Sequence, residues 1–527
     1  MKKEIFYLTM MFLLFFTVSY TYSIFKNTIV GSLTANINNW SFKANVTNGV
    51  VYNDGYKVKL NGTSGTINVN LNTIGGNKTV DYSIELIGDN SIKYYEDSDY
   101  KKLINNNIYN NAISNNTSKT TTIYYKSDKS LNTDIVVKIK ASIYAYVYGI
   151  KRDNNSSSSV CERIKDSVGL VANAVKPDNI NPRNDFDNIY PWSDIKSYNY
   201  NSTTKEITAW YGDSNFKFDG SNGEVLTYIP GFYYKREVIN GVDYQYISKT
   251  KQDGFSYSEP FSVGRYKISG GPEAEHENSS SSETSTPFEA KSKSGVYPSA
   301  YATISTFRES ARKLGSEFSL MDYHYFVIQL LYLVEYADYD SQSKLGSGNV
   351  SRIRRLPLPD EQYTPTYGAI VMGGTNELGM KSGVLVDDEK HSMIYRGIED
   401  IYGNIAEFVD GINVKDYQAY INYDYTTYET NVFGGKYQAL SYINRDNSQI
   451  PLLGYDSNNQ LIDFPIDEEN SNQFVVNDLY YPVRGSAIFA IGGHSASHEH
   501  AGLWYYSSPS PDSGGGNTGS RLIRHHN

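Results

Sequence analysis

The stretch Arg484 to Arg524, RGSAIFAIGGHSASHEHAGLWYYSSPSPDSGGGNTGSRLIR, decides how the rest of the chain is read. Two short apolar runs, Ala487 to Ile491 and Leu503 to Tyr506, flank a segment crowded with His, Ser and Glu. Beyond them, Ser507 to Ser520 holds almost nothing but Ser, Pro, Asp, Asn and Gly before Arg521, Leu522 and Ile523. A segment of that composition has no apolar area to bury, and its turn-forming residues predict a solvent-facing loop held at both ends by strands. The preceding residues then read as a body that presents this surface.

Length and composition set the frame for that body. A chain of 527 residues exceeds one ordinary core and suits two or three domains. The hydrophobic fraction is 39%, but 49 Tyr and 21 Phe supply large surfaces to bury, which predicts folded domains rather than disorder. The net charge of -10 is spread without a basic cluster, which argues against nucleic acid as a partner. Tyr together with Asn, Ser and Gly is also the composition of binding surfaces, where Tyr gives contact area at small entropic cost. The one cysteine, Cys161, excludes an intrachain disulfide and a cysteine-based zinc site.

Export is expected from the start of the chain. Lys2 and Lys3 precede the apolar run Ile5 to Val18, the charged-then-apolar order of a secretory signal. That run is short beside the roughly 20 residues of a full membrane span. Residues 1–25 therefore read as a signal peptide, with Thr21-Tyr22-Ser23 as the cleavage candidate, or as an uncleaved membrane anchor that recruits Tyr20 to Phe25. The expected location is extracellular, at the cell surface, tethered or secreted.

From Asn27 to Tyr148, short runs such as Thr66-Ile67-Asn68-Val69-Asn70-Leu71 alternate apolar and polar residues, broken by turns at Asn61-Gly62 and Gly75-Gly76. This predicts an all-β sandwich over 27–150, with a helical insertion around Tyr100 to Ala112, serving as a stalk or surface module. Lys151 to Ser159, KRDNNSSSS, reads as a linker over 151–159, and residues 160–527 as the second domain. Within it, Arg163 to Val171 predicts a short helix, and Gly270 to Ser294, rich in Ser and Glu, a mobile insertion. Thr306 to Leu314 and Asp322 to Ala337 carry apolar residues at helical spacing, with Gly315 ending the first and Asp322 capping the second.

Several blocks in the same order carry a resemblance: Asp185 to Trp192, Asp219 to Lys235, Gly254 to Gly271, Phe307 to Gly315, Ile328 to Tyr336 with Ser341-Gln342-Ser343, Tyr395 to Gly411, and Arg484 to Leu522. Residues 160–527 resemble the C-type lectin-like proteins of the formylglycine-generating-enzyme fold found in Firmicutes and their phages, some of them targets of diversity-generating retroelements. The resemblance implies an α+β fold with two helices and irregular sheets, whose C-terminal strands and loops display a surface for an extracellular protein or glycan ligand. Carried onto this chain, the ligand-binding positions are His494, Ser495, Ser497, His498, Glu499, His500, Trp504, Tyr506, Ser508, Ser510, Asp512 and Asn517, with Trp504 and Tyr506 as aromatic anchors. The second loop departs from the pattern, being rich in Pro and Gly where relatives carry Asn.

Other groups invite chemical readings. Gly403-Asn404-Ile405-Ala406-Glu407-Phe408 resembles the Gly-Asn-x-x-Glu-Trp signature of the wider fold, and Asn404 and Glu407 read either as calcium ligands or as groups that hydrogen-bond buried loop backbone. The expectation is no cofactor, with calcium at this pair as the alternative. Cysteine-dependent oxidation of the formylglycine-generating type is excluded, since Cys161 stands alone. His494, His498 and His500 have metal-like spacing, although on an exposed loop they serve equally as ligand contacts. His525 and His526 are expected to have no role, and the acidic runs Asp387-Asp388-Glu389 and Asp467-Glu468-Glu469 read as solvated loop charges. The function expected is recognition without catalysis. Its competitors are an enzyme on the same fold without cysteine chemistry and a phage-derived virion receptor-binding component.

Overall fold

A computed structural model describes residues 35–526 apart from 38–39, 54, 75–79, 90, 115, 143–145, 277–278, 352, 358–362, 442–447, 451–452, 466–475 and 482–484. The expected signal or anchor at 1–25, the Gly75-Gly76 turn and the acidic run at Asp467 lie outside the described residues. Strand accounts for about 41% of the described residues and helix for about 11%, so the protein is β-rich. Among the described residues no helix is long and apolar enough to cross a membrane.

The chain forms two compact units, one of residues up to Tyr146 grouped with Thr250–Asp253, the other of Val147–Lys249 and Gly254–Asn527. The change of unit precedes the polar stretch expected to be a linker. Val147–Asp153 is a strand that pairs with Val242–Ser248 inside the second unit. Arg152, itself buried, donates to the carbonyls of Ser156 and Ser158 and folds the following serines into a structured loop.

In the first unit the expected pair of sheets is instead one continuous eight-stranded sheet. Its spine is the antiparallel pair Gly55–Ile74 and Ser118–Ser142, whose register shifts between Gly62 and Ser64. Because side chains alternate faces along a strand, that shift changes which residues point inward: Tyr56, Val58 and Leu60 before it, Ile67, Val69 and Leu71 after it. Both sets join one apolar cluster with Ile84, Ile123 and Val137, so the sheet bends over a single core. The helical insertion expected near Tyr100 is absent. A single 3-10 turn, Asn105–Asn107, leads into the strand Ile108–Ile113.

Among its described residues the second unit is built of a five-stranded, a six-stranded and an eight-stranded sheet with two small hairpins, and three short helices: α1 (Ile304–Arg312), α2 (His324–Tyr336) and α3 (Ser341–Leu345). Thr303 caps α1 through Thr306 N, and Asp322 accepts from His324 N ahead of α2, as its predicted capping role requires. Every residue of α2 is buried, because its run of Tyr, Phe, Val, Ile and Leu leaves no polar face. Arg163 to Val171, expected as a helix, is the strand Glu162–Lys165 followed by turns; Lys165 takes a left-handed backbone, which breaks any helix there.

Candidate functional site

The carboxy-terminal stretch lies where the sequence did not put it. Trp504 and Tyr506, expected as exposed anchors, are 0% exposed, and Ser495, Ser497 and Ser508 are also buried. Helix α2 is the cause. Leu503 O accepts from the Tyr325 hydroxyl at 2.7 Å and from Gln329 Nε2 at 2.5 Å, and Gln329 Nε2 also donates to the Tyr506 hydroxyl at 2.8 Å. The Trp504 ring packs on Tyr339 at 4.7 Å, and Tyr506 lies against Phe489 at 5.1 Å. These rings fill the core rather than a ligand pocket. Of the twelve positions carried over from the resemblance, Glu499, Ser510 and Asp512 are exposed, and His494, His498, His500 and Asn517 are half-buried.

The Gly-rich second loop is likewise not a free loop. Glu275 N donates to Gly516 O at 2.8 Å and Tyr301 N to Gly515 O at 3.1 Å, which ties the loop to the segment expected to be a mobile insertion. Glycine is needed there for close approach: a Cβ at Gly514 would lie 2.5 Å from Glu283 Oε1, and one at Gly516 2.5 Å from the Tyr301 ring. Ala274, Ala290 and Ser292 of that insertion are fully buried, so its Ser-rich composition does not make it a mobile arm.

Asn404 and Glu407 do not offer a calcium site. Asn404 Nδ2 donates to Asp400 Oδ2 at 2.9 Å and its Oδ1 accepts from Ile370 N at 3.0 Å, so both ends of the amide hold loop structure. Glu407 receives Lys267 Nζ at 2.5 Å and the Arg521 guanidinium at 2.7 Å, all three groups being buried. Burial opposes the Glu407 charge, but the Arg521 and Lys267 cations outweigh it and hold the carboxyl below its ordinary range. Both Glu407 oxygens are engaged by these two cations, whose positive charge opposes the entry of a metal cation beside them.

His494, His498 and His500 do not gather three nitrogens at metal-binding distance. Among the described residues the group of that kind is Asp322, His324 and His525, whose candidate ligand atoms lie within 4.8 Å of one another. His525 and His526, expected to be idle, are therefore engaged: His525 Nε2 meets Ser319 Oγ at 2.8 Å while its ring stacks on Tyr425 at 3.5 Å, and His526 Nε2 meets Ser262 Oγ at 2.8 Å. Asp322 is fully satisfied by His324 Nδ1 at 2.6 Å and by the Tyr428 hydroxyl at 3.0 Å. Its chemistry is therefore that of a hydrogen-bonded strut, and what it steadies is the His324 ring.

That ring stacks on Tyr323 at 4.1 Å, and Tyr323 forms one wall of an open cleft of about 210 Å³. Tyr234, Tyr323 and Tyr423 converge there; Tyr257 also borders it, but its ring lies with Tyr233 on the other face of the strand pair, because Ser256 is the residue opposite Tyr234. Tyr234 and Tyr257 come from the paired strands Phe232–Ile239 and Ser256–Ser258, Tyr323 from the residue before α2, and Tyr423 from the loop after Gln418–Ile421. Tyr323 and Tyr423 meet edge to face, with centroids 4.9 Å apart and planes at 71°. Tyr257 packs one face near Tyr233 at 4.8 Å and remains 45% exposed.

The opposite side of the cleft is the turn Ser457 to Leu461. Asp456 builds it, accepting from Asn458 N at 2.9 Å and Asn459 Nδ2 at 3.1 Å, and Asn459 Oδ1 then accepts from the Tyr423 hydroxyl at 2.7 Å. Burial pushes the Tyr323 and Tyr423 hydroxyls well above their ordinary range, so both stay protonated donors. Glu259 is the one carboxylate of the lining, and no Lys, Arg or His belongs to it. Such a site can stack, donate and accept, and it lacks a paired nucleophile and base. Sequence reasoning missed it because its residues lie far apart in the chain, and with 49 tyrosines no single Tyr stands out. No local signal marked it: along Ser256-Tyr257-Ser258 the serines take one face, beside Tyr234, and the tyrosine takes the other.

No protein-family model matches this chain, and no curated protein matches its sequence.

Proposed function

We propose that this protein is an exported recognition protein of the cell surface, whose second unit is a C-type lectin-like scaffold that holds a ligand site for an extracellular protein or glycan. The export reading rests on Lys2, Lys3 and the apolar run that follows. The lectin-like reading rests on the ordered blocks of residues 160–527 and is supported by two main helices set among irregular sheets. The observation that carries the recognition reading is the convergence of three tyrosines, Tyr234, Tyr323 and Tyr423, on one open, polar-rimmed cleft. Tyr gives broad contact with few rotors, and these rings are fixed by neighbours before any ligand arrives, so association orders little.

The test is binding of the full-length protein to a printed array of glycans and of surface proteins, with wild type beside a Tyr234→Ala/Tyr423→Ala double variant. Array spots bound by wild type and lost by the variant support the reading. Spots bound equally by both would move the site elsewhere, and an array without bound spots would remove the recognition function.

A further inference from the structure

We propose that the cleft of Tyr234, Tyr323 and Tyr423 takes the guanidinium of an arginine side chain on a protein ligand, an inference that rests on the recognition reading and specifies its ligand. Charge decides the sign of the ligand. The lining holds one carboxylate, Glu259, and no Lys, Arg or His. Glu259 is exposed and enters no ion pair among the described residues. A second carboxylate, Asp456, stands at the root of the turn that closes the cleft. Burial opposes the Asp456 charge, but hydrogen bonds from the Asn459 side chain and from Asn458 N and Ser441 outweigh it and hold the carboxyl below its ordinary range. An anionic ligand meets repulsion from both groups without compensation, and a cation meets attraction.

The hydrogen bonds behind the wall decide which kind of cation. Asp456 Oδ2 takes an N–H of the Asn459 amide at 3.1 Å, so the other end of that amide, its carbonyl oxygen, is the end that meets Tyr423. The Tyr423 hydroxyl therefore donates to Asn459 Oδ1, at 2.7 Å, and with its proton committed there its oxygen can only accept from a ligand. With the Glu259 carboxylate and the hydroxyls of Ser256 and Ser457 it makes a rim rich in acceptors. A quaternary ammonium group has no N–H to give such a rim. A lysine ammonium gives three, but it is strongly hydrated and loses more water on entering between tyrosine walls. A guanidinium gives five N–H in a planar fork that matches a carboxylate in pairs, and it is more weakly hydrated.

Size and rigidity point the same way. About 210 Å³ is below the roughly 300–1,000 Å³ of sites that enclose drug-sized molecules, and takes one side chain with the rest of the ligand outside. A protein surface presents side chains in that manner, and Arg is among the residues that carry most of the energy of an interface. Tyr323 is held by stacking on His324, and Tyr423 is tethered through Asn459 to Asp456, so the walls need little ordering when the side chain enters.

The experiment uses the full-length protein and calorimetry at low salt with N-acetyl-arginine methylamide. The citrulline analogue of that compound, which keeps its shape and lacks its charge, the lysine analogue and choline form the comparison arms. The arginine compound is expected to bind with a Kd of about 1 mM or tighter, the citrulline analogue at least tenfold more weakly, and the lysine analogue and choline several-fold more weakly. Glu259→Gln should weaken the arginine compound several-fold with the thermal transition unchanged, because the side chain is exposed. Tyr423→Phe, which keeps the ring and removes the accepting oxygen, should weaken it as well. No binding of the arginine compound, equal binding of the citrulline analogue, tighter binding of lysine or choline, or binding indifferent to either variant overturns the inference. Array spots lost by the Tyr234→Ala/Tyr423→Ala variant while the arginine compound does not bind would overturn it too, yet would leave the cleft as the recognition site. An array without bound spots and no binding of the arginine compound would remove both.

Discussion

The carboxy-terminal stretch and the tyrosine cleft are made of the same residue types and have opposite fates. Leu503, Trp504 and Tyr506 are wholly buried beneath α2, whereas Tyr423 of the cleft remains 42% exposed. Ser508 is sealed in the core region while Ser457 and Asn458 face solvent. Composition therefore does not separate a core wall from a binding wall. What separates them is whether an apolar element comes to cover the rings, and helix α2 covers one set and only backs the other through Tyr323.

Substitutions in the two regions sharpen this contrast, and the largest effect is expected where the carboxy terminus locks the core. Arg521→Ala removes a guanidinium that bonds Glu407 and the carbonyls of Gly264, Arg265 and Glu399. Leaving Glu407 buried with one cation lost should cost about 3–5 kcal/mol, measured by denaturant unfolding. Trp504→Ala should cost a similar or slightly smaller amount, about 3–5 kcal/mol, through the cavity it opens. If Trp504→Ala left stability unchanged and abolished ligand binding, the distinction between the two regions would collapse.

A pH effect of intermediate size is expected at His494, whose pKa is pushed down to about 4 by burial and then by the nearby His498. The folded state holds this imidazole neutral while the unfolded chain protonates it near its ordinary value of about 6.5. Its contribution is thus fully present above that value and is lost as pH falls from there towards 4. Wild type should lose thermal stability over that window more steeply than His494→Gln; parallel curves would show that the imidazole is not held neutral. Tyr423→Ala, in the cleft, should cost about 1 kcal/mol through its lost contact with Tyr323 and its lost hydrogen bond to Asn459, while weakening ligand binding. Ser510→Ala and Asp512→Ala, at exposed loop positions, should change stability least of all, within about 0.5 kcal/mol either way.

Local patterning made much of the fold legible. The alternation Thr66 to Leu71, the helical spacing within Asp322 to Ala337 and the cap at Asp322 appear in the structure as read. Each of these rests on neighbours in sequence, where periodicity and capping act. The errors share one cause: polar and glycine-rich composition was equated with solvent. Gly514 and Gly516 are glycine because other residues approach them closely, and the serines after Arg152 are gathered by its guanidinium. Glu407 and Asn404 were seen as a pair worth attention, but whether they faced a metal or the cations Lys267 and Arg521 depended on residues more than a hundred positions away.

By itself the sequence determined a β-rich protein, one well-formed helix of continuous apolar character, and the chemical poverty of a lone Cys161. It could do so because strand alternation, helix caps and composition are local or additive properties. Only the tertiary structure decided which aromatic rings are core and which line a cleft, and it drew Tyr234, Tyr323 and Tyr423 from distant segments to one place. Burial is a property of what packs against a residue, and that partner is set by the whole fold rather than by the residue's own neighbours in the chain.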